Sequence, residues 1–145
     1  MRNETFLVGI DGSDCARRAA GFAAKRARKT EAKLVLVGVI EWSRYAFYTP
    51  EELETRRRDR DQAVKQVTAE VLGPLADTFT GQGLEVTCLV RHGHAAEVLK
   101  DLAEETGAVQ IFIGRQGRSS FGDALFGGVT NRILSIAPVP VTVVP

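Results

Sequence analysis

Two apolar runs near the C-terminus, separated by a glycine-rich polar stretch, constrain the fold of this chain most strongly. The runs cover residues 109–113 and 139–144, and a short helical pattern from Val129 to Ala137 precedes the second one. Five glycines fall within fifteen residues of the stretch between them: Gly114, Gly117, Gly122, Gly127 and Gly128. A strand, a glycine loop and a helix start, in this order, predict a pocket where backbone amides face an anion.

A simpler interpretation is that these glycines only serve turns, which is the usual role of a single glycine. Their number, between a buried strand and a helix start, favours a ligand site instead. The loop is not an ordinary phosphate loop of the form G-x-x-x-x-G-K-[ST], because no lysine lies between Gly114 and Gly128.

The rest of the chain alternates apolar runs with helical patterns. The predicted strands are residues 5–10, 33–40, 84–90, 109–113 and 139–144. The predicted helices are residues 16–28, 51–81, 95–107 and 129–137. Continuous apolar runs suit parallel strands that are covered on both faces, so the order predicts a parallel sheet between two helix layers. The third strand alternates partly, which indicates an edge position.

Size and composition indicate one soluble domain, residues 1–145. The formal net charge of +1 argues against nucleic acid and anionic membranes as partners. No export signal or bilayer-length apolar segment is evident. The two cysteines, Cys15 and Cys88, are too few for a disulfide framework, so we expect a reduced, cytoplasmic setting.

The most ligand-like residues follow the first and fourth strands. If these strands are neighbours, their carboxyl ends form the crevice where ligands bind in open α/β sheets. Asp11-Gly12-Ser13 ends the first strand, and Gly114 to Gly117 ends the fourth. The amides of the second corner, with Arg115 and Arg118, suit a phosphate. Asp11 suits a donor, such as a ribose hydroxyl or an adenine amino group, and the two corners together indicate a nucleotide.

Three motifs resemble the universal stress protein family, and the resemblance spans the whole chain. The nucleotide motif of that family is G-x2-G-x9-G-[ST], and Gly114, Gly117 and Gly127 have its spacing. The opening V-G-I-D-G-S, residues 8–13, resembles the family's first strand and its aspartate. The ending A-P-V-P-V-T-V-V, residues 137–144, resembles its last strand.

This resemblance implies a three-layer, Rossmann-like α/β/α fold of the adenine nucleotide alpha hydrolase type, with a five-stranded sheet of order 3-2-1-4-5. It implies a stress-response homodimer formed through Val139–Val144, with ATP, AMP or ADP and optionally Mg²⁺ in the crevice. Asp11, with Ser13 beside it, would meet the ribose or base, and the backbone near Val39 would meet the adenine. The residues expected around the phosphates are Gly114, Arg115, Gln116, Gly117, Gly127, Gly128, Val129 and Thr130.

One departure from the motif weakens this expectation. Gly128 stands where the family has Ser or Thr, so a hydroxyl hydrogen bond to phosphate is missing, worth on the order of 1.5–3 kcal/mol. Thr130 or Ser119 are candidate replacements. The alternative function is a dimer of the same type that binds no nucleotide and acts through protein contacts.

An aromatic stretch, two histidines and the acidic residue of the glycine loop could each have a functional role. The aromatic stretch Trp42–Tyr48 suits a core or partner contact better than a lid. His92 and His94 suit a turn better than a metal site, since no cysteine or carboxylate stands at metal spacing. Asp123 is the only acidic residue of the glycine loop, and no residue can be assigned to catalysis. We therefore expect a binding protein rather than an enzyme, although slow ATP hydrolysis stays open.

Overall fold

A computed structural model describes residues 3–41, 49–116 and 128–145. The strands in these ranges are β1 (Thr5–Ile10), β2 (Lys33–Ile40), β3 (Val86–His92), β4 (Gln110–Gly114) and β5 (Val141–Val144). The helices are α1 (Asp14–Thr30), α2 (Pro50–Val67), α3 (Gly73–Gly81), α4 (Ala95–Thr106) and α5 (Gly128–Ile136). The aromatic stretch Trp42–Tyr48 lies outside the described residues.

The strands form one parallel sheet of order β3-β2-β1-β4-β5. This confirms the expected strand order and the edge position of β3. Val8 in the central strand lies opposite Leu36 of β2 and Phe112 of β4. The carboxyl ends of β1 and β4 are therefore adjacent at the point where the strand order reverses, which is where a crevice forms in sheets of this kind.

Two apolar clusters fill the two sides of the sheet. The first joins the sheet to α1 and α3 and includes Phe6, Val8, Leu36, Phe79 and Phe112. The second joins the sheet to α4 and α5 and includes Leu7, Val37, Leu102, Ile111 and Ile133. Helices on both sides of a parallel sheet confirm the three-layer architecture.

Helix α1 begins where the sequence predicts. The Ala16 amide donates to the Ser13 hydroxyl at 3.1 Å, so Ser13 caps the helix. The helix ends before Glu31, which adopts a left-handed conformation with φ 58°. Its buried face consists of alanines: Ala16, Ala19, Ala20, Ala23, Ala24 and Ala27. Such short side chains let the helix axis approach the sheet closely.

Strand β3 lies two residues later than predicted. The sequence placed it at 84–90 and favoured a turn for His92, whereas residues 91 and 92 pair with Val39 and Ile40 of β2. Leu84 instead belongs to the preceding turn, where its amide donates to the carbonyl of Phe79. The apolar character of Leu84 reflects burial in that turn, where it is 7% exposed.

The single helix predicted over residues 51–81 is divided. A π-helical turn, Thr68–Leu72, separates α2 from α3. Pro74 has no N–H to donate to a preceding turn, and it is tolerated at the start of α3. Strand β5 is also shorter than predicted, since it begins at Val141. Across the three described ranges, no helix is both long enough and apolar enough to span a bilayer.

Candidate ligand-binding cleft

A cleft of about 420 Å³ opens at the carboxyl ends of β1, β2 and β4. The sides of the cleft are completed by the first turns of α1, α4 and α5. The described residues that line it are Gly9, Ile10, Asp11, Ser13, Ala16, Val37, Val39, Glu41, Ala95, Leu99, Ile113, Gly114, Gln116, Gly128, Val129 and Thr130. The corner after β1 and the corner after β4 therefore share one cavity.

The corner after β1 is built by local hydrogen bonds. Gly12 has φ 82°, a conformation that favours glycine, and it turns the chain from the strand into α1. The Ser13 amide donates to Asp11 Oδ1 at 2.9 Å. These contacts fix the carboxylate of Asp11 at the mouth of the cleft, where it can accept hydrogen bonds from a ligand.

The corner after β4 depends on a close contact with α1. A Cβ added to Gly114 would lie 2.6 Å from Cys15 Cβ and 2.8 Å from the Cys15 carbonyl carbon. The glycine is thus required by helix packing, a reason separate from the approach of a ligand that the sequence suggested.

Thr130 fastens this corner to the start of α5. Its side chain is 3% exposed, and its hydroxyl lies 3.1 Å from the Gly114 carbonyl and 3.4 Å from the Arg115 carbonyl. The hydroxyl hydrogen is therefore engaged with the backbone. This geometry weakens the expectation that Thr130 donates to a phosphate in place of the missing motif hydroxyl.

Gly128 begins α5 beside the cleft. A Cβ added there would meet no atom within 4 Å among the described residues. No described residue therefore obstructs the side chain that the motif normally carries at this position.

The side of the cleft next to β2 is apolar. Val37, Val39 and Leu99 form its walls, and Glu41 lies at its rim, while Ile113 of β4 adds apolar surface on the other side of β1. Flat aromatic rings suit such a slot, because they lose little by leaving water and pack against aliphatic side chains. The sequence pointed to Val39 but missed the other four, since nothing in their local pattern separates them from ordinary core residues and a strand end.

A salt bridge joins the two helices beside the cleft. Arg132 Nε of α5 lies 3.1 Å from Glu97 Oε1 of α4. A hydrogen bond from its own backbone N–H, followed by that from Arg132, holds the pKa of Glu97 below its ordinary value. The pair ties α4 to α5 across the surface and does not line the cleft.

The predicted site residues divide into three groups. Those that line the cleft are Asp11, Ser13, Val39, Gly114, Gln116, Gly128, Val129 and Thr130. Arg115 is not among the lining residues that the structure describes: its amide donates to the Val144 carbonyl at 2.7 Å and its side chain is exposed. Gly117 and Gly127, like Arg118 and Ser119, lie outside the described residues. A role in ligand binding stays a prediction for all of them.

The charged side chains of the described lining are all negative. Asp11 and Glu41 carry carboxylates, and no lysine or arginine lines this part of the cleft. Nor do the described residues contain a group of three or more His, Cys, Asp and Glu side chains arranged to hold a metal ion.

A parallel 3-2-1-4-5 sheet with a cleft between its first and fourth strands defines a Rossmann-like three-layer protein. The model of the universal stress protein family matches residues 2–145. The chain belongs to the universal stress protein family.

Relatives with established names agree with this assignment. A universal stress protein from Thermus aquaticus is 31% identical over 143 residues, which cover 97% of this chain and 98% of the relative. One from Synechocystis sp. is 29% identical over 142 residues, covering 98% and 85%. This chain spans only 48% of a universal stress protein from Mycobacterium tuberculosis, with 26% identity.

Solved structures share the fold. A universal stress protein from Archaeoglobus fulgidus in complex with dAMP has a TM-score of 0.68 and 22% identity, with full coverage of both chains (100% each). One from Arabidopsis thaliana with AMP bound has a TM-score of 0.67 and 16% identity, covering 97% of this chain and 90% of the other. A universal stress protein in complex with cAMP has a TM-score of 0.72 and 24% identity, covering 98% and 97%.

Proposed function

We propose that this chain binds an adenine nucleotide in the cleft between β1 and β4 and acts as a cytoplasmic, dimeric regulator rather than as an enzyme. The observation that carries the proposal is the meeting of two corners in one cavity. The acceptor corner contains Asp11, and the amide-rich corner contains Gly114 and Gly128. Family members of the same fold bind AMP, dAMP and cAMP.

The chemistry of the cleft walls suits the parts of a nucleotide. The apolar slot beside β2 suits the base, the Asp11 carboxylate suits the ribose hydroxyls, and the first turn of α5 presents amides to phosphate. Because the described lining holds no cation, phosphate affinity rests on those amides and on residues outside the described ranges. AMP, ADP and ATP, each with and without Mg²⁺, are therefore the ligands to compare.

The sharpest test adds the missing hydroxyl. In Gly128→Ser, the new side chain meets no described atom and can donate to a phosphate, so ATP and AMP should bind about tenfold more tightly. Isothermal titration calorimetry measures the change. Gly81→Ser is the matched control, because an added Cβ there also meets no described atom and Gly81 lies at the end of α3, away from the cleft.

Removing the carboxylate of Asp11 should lower the affinity for nucleotide. Asp11→Ala should weaken nucleotide binding while leaving the far-UV circular dichroism spectrum unchanged. Absence of saturable binding by the wild-type chain at millimolar nucleotide would instead favour a dimer that acts only through protein contacts.

We further propose that β5 pairs with its copy in a second chain. Within the described residues β5 pairs only with β4, and all four of its residues are partly exposed. An unpaired apolar edge promotes association, and pairing across a two-fold axis would cover it through Val139–Val144. Light scattering at micromolar concentration should give twice the chain mass of 15.8 kDa, and a monomer would refute this assembly.

A further inference from the structure

The outer face of helix α1 carries a concentrated positive charge. Six residues of the helix are basic and one is acidic, and all seven are exposed: Arg17, Arg18, Lys25, Arg26, Arg28, Lys29 and Asp14. The helix therefore has a formal charge of +5, whereas the whole chain has +1, so the rest of the sequence together carries −4. The nearly neutral total conceals one strongly basic helix.

An exposed aromatic ring lies among four of these cations. Phe22 is 44% exposed, and its ring centroid lies 6.1 Å from that of the buried Phe112. Because successive residues of an α-helix are turned by about 100°, four basic residues project within about 60° of Phe22 around the helix axis. They are Arg18, Lys25, Arg26 and Lys29. We call these five residues the basic stripe, and it is about 17 Å long at a rise of about 1.5 Å per residue.

Contacts within the chain do not account for the stripe. No carboxylate of the described residues forms an ion pair with Lys25, Arg26 or Lys29. Arg18 Nε donates to the Pro145 carbonyl at 2.9 Å, a contact that leaves its charge without a counter-ion there. The helix dipole stabilises a cation in the last turn, where Lys29 lies, but has little effect on Arg18, Lys25 and Arg26.

Solubility does not require a surface of one sign either. Helix α2 has no buried residue, and it carries five acidic and five basic residues, which balance. The excess of one sign on α1 is therefore a property of that face and not of exposed helices in this chain.

We propose that the basic stripe binds an acidic segment of a partner protein, with an apolar side chain of that segment against Phe22. Opposite charges would set the position of the segment along the stripe. The Phe22 ring already packs against Phe112, so it loses little conformational freedom on binding. An extended segment of about five residues spans the stripe at about 3.3 Å per residue.

Three other occupants fit the stripe less well. A long nucleic acid would extend beyond it and meet the net negative charge of the rest of the chain. A bilayer is bound by the apolar face of a helix, whereas the apolar face of α1 is buried in the core. A second copy that presented its own stripe would bring the same positive charge.

The test measures fluorescence anisotropy of a labelled peptide that has a central leucine and three glutamates on each side. The wild-type chain should bind it with a dissociation constant below about 1 mM, and more weakly as salt rises. Lys25→Glu combined with Arg26→Glu should weaken binding at least about tenfold, because two attractions become repulsions. Phe22→Ala should weaken it about twofold to tenfold, the range expected of one aromatic contact.

Arg57→Glu combined with Arg58→Glu is the matched control. It makes the same change in net charge at exposed positions of α2, so the affinity for the peptide should stay within about twofold of the wild-type value. Far-UV circular dichroism shows that each variant is folded. If Phe22→Ala is not, the charge reversals, which alter only exposed side chains, still decide the outcome.

Four results would overturn the inference. They are no saturable binding of the peptide by the wild-type chain, an equal loss in both charge reversals, tighter binding of a DNA duplex or of phosphatidylserine vesicles than of the peptide, and a dimer that Phe22→Ala converts to a monomer in light scattering. The last would show that a second copy covers the stripe. No stripe residue is among the described cleft lining and the assay contains no nucleotide, so these results are distinct from a failure of nucleotide binding.

Discussion

Helices α1 and α2 have nearly the same length, 17 and 18 residues, but relate to the rest of the molecule in opposite ways. Both have an N-terminal cap: Ser13 caps α1, and Thr49 forms a reciprocal pair of hydrogen bonds with Glu52 at the start of α2. Helix α1 buries six alanines, whereas α2 has no buried residue. Local sequence signals therefore start both helices, but α1 buries a whole face in the core, whereas α2 packs against it only at its end, through Val67.

The difference matters because α1 supports the candidate cleft. Ser13 and Ala16 line the cleft, and the first turn of α1 touches Gly114 at the end of β4. The exposed helix α2 contributes none of the described lining residues. Substitutions should therefore affect stability and ligand binding together in α1, and neither strongly in α2.

The largest expected effect comes from enlarging the buried face of α1. Ala20 is 0% exposed and belongs to the cluster that contains Phe6 and Phe112. Leucine has no room there, so Ala20→Leu should lower the free energy of unfolding by about 3 kcal/mol, at the upper end of the usual cost of overpacking. Urea denaturation followed by circular dichroism measures it. In α2, the exposed Gln62→Leu should change stability by less than about 0.5 kcal/mol; similar losses in both helices would contradict the comparison.

A smaller loss is expected where α1 meets the cleft. In Gly114→Ala the new methyl group meets Cys15 at distances that real Cβ atoms essentially never show, with backbone atoms among the neighbours. We expect a loss of about 2 kcal/mol in stability, by the same overpacking argument. Gly128→Ala, where the methyl group meets no atom of the described residues within 4 Å, is the control and should be tolerated. Equal stability of the two variants would show that the contact between β4 and α1 is not tight.

Most of the fold could be predicted from the sequence because its signals are local or periodic. The continuous apolar runs indicated buried parallel strands, and the alternation with helical patterns indicated two helix layers. The errors in the bounds of β3 and of the long helix arose because one residue type is compatible with two local structures. Leu84 is apolar because a turn buries it, and Pro74 is compatible with both the interior of a predicted long helix and the start of a new one.

The candidate site could be predicted only where a motif marked it. Asp11 and Gly114 follow strands and stand in recognisable motifs, and the structure brings their two corners together. Glu41 lines the cleft beside Ala95, which lies 54 positions away in the chain and donates a hydrogen bond to it, a relation that a local pattern cannot express. Likewise, the sequence could not show that Gly114 is needed for packing against Cys15, or that the Thr130 hydroxyl is engaged with the Gly114 carbonyl.

The smallest expected effect concerns the exposed side of α1, in contrast to its buried alanine face. Gly21 lies in the interior of the helix but on its exposed side, and a Cβ added there meets no described atom within 4 Å. Because glycine costs more backbone entropy in a helix than alanine, Gly21→Ala should raise the free energy of unfolding by about 0.5–1 kcal/mol. Gly83→Ala is the matched control: it has equal space, but φ 88° at that position strains an L-residue, so stability should fall by about 1 kcal/mol. If Gly21→Ala destabilises the chain, the outer face of α1 is in contact with something, and the division of α1 into one intolerant and one tolerant face is wrong.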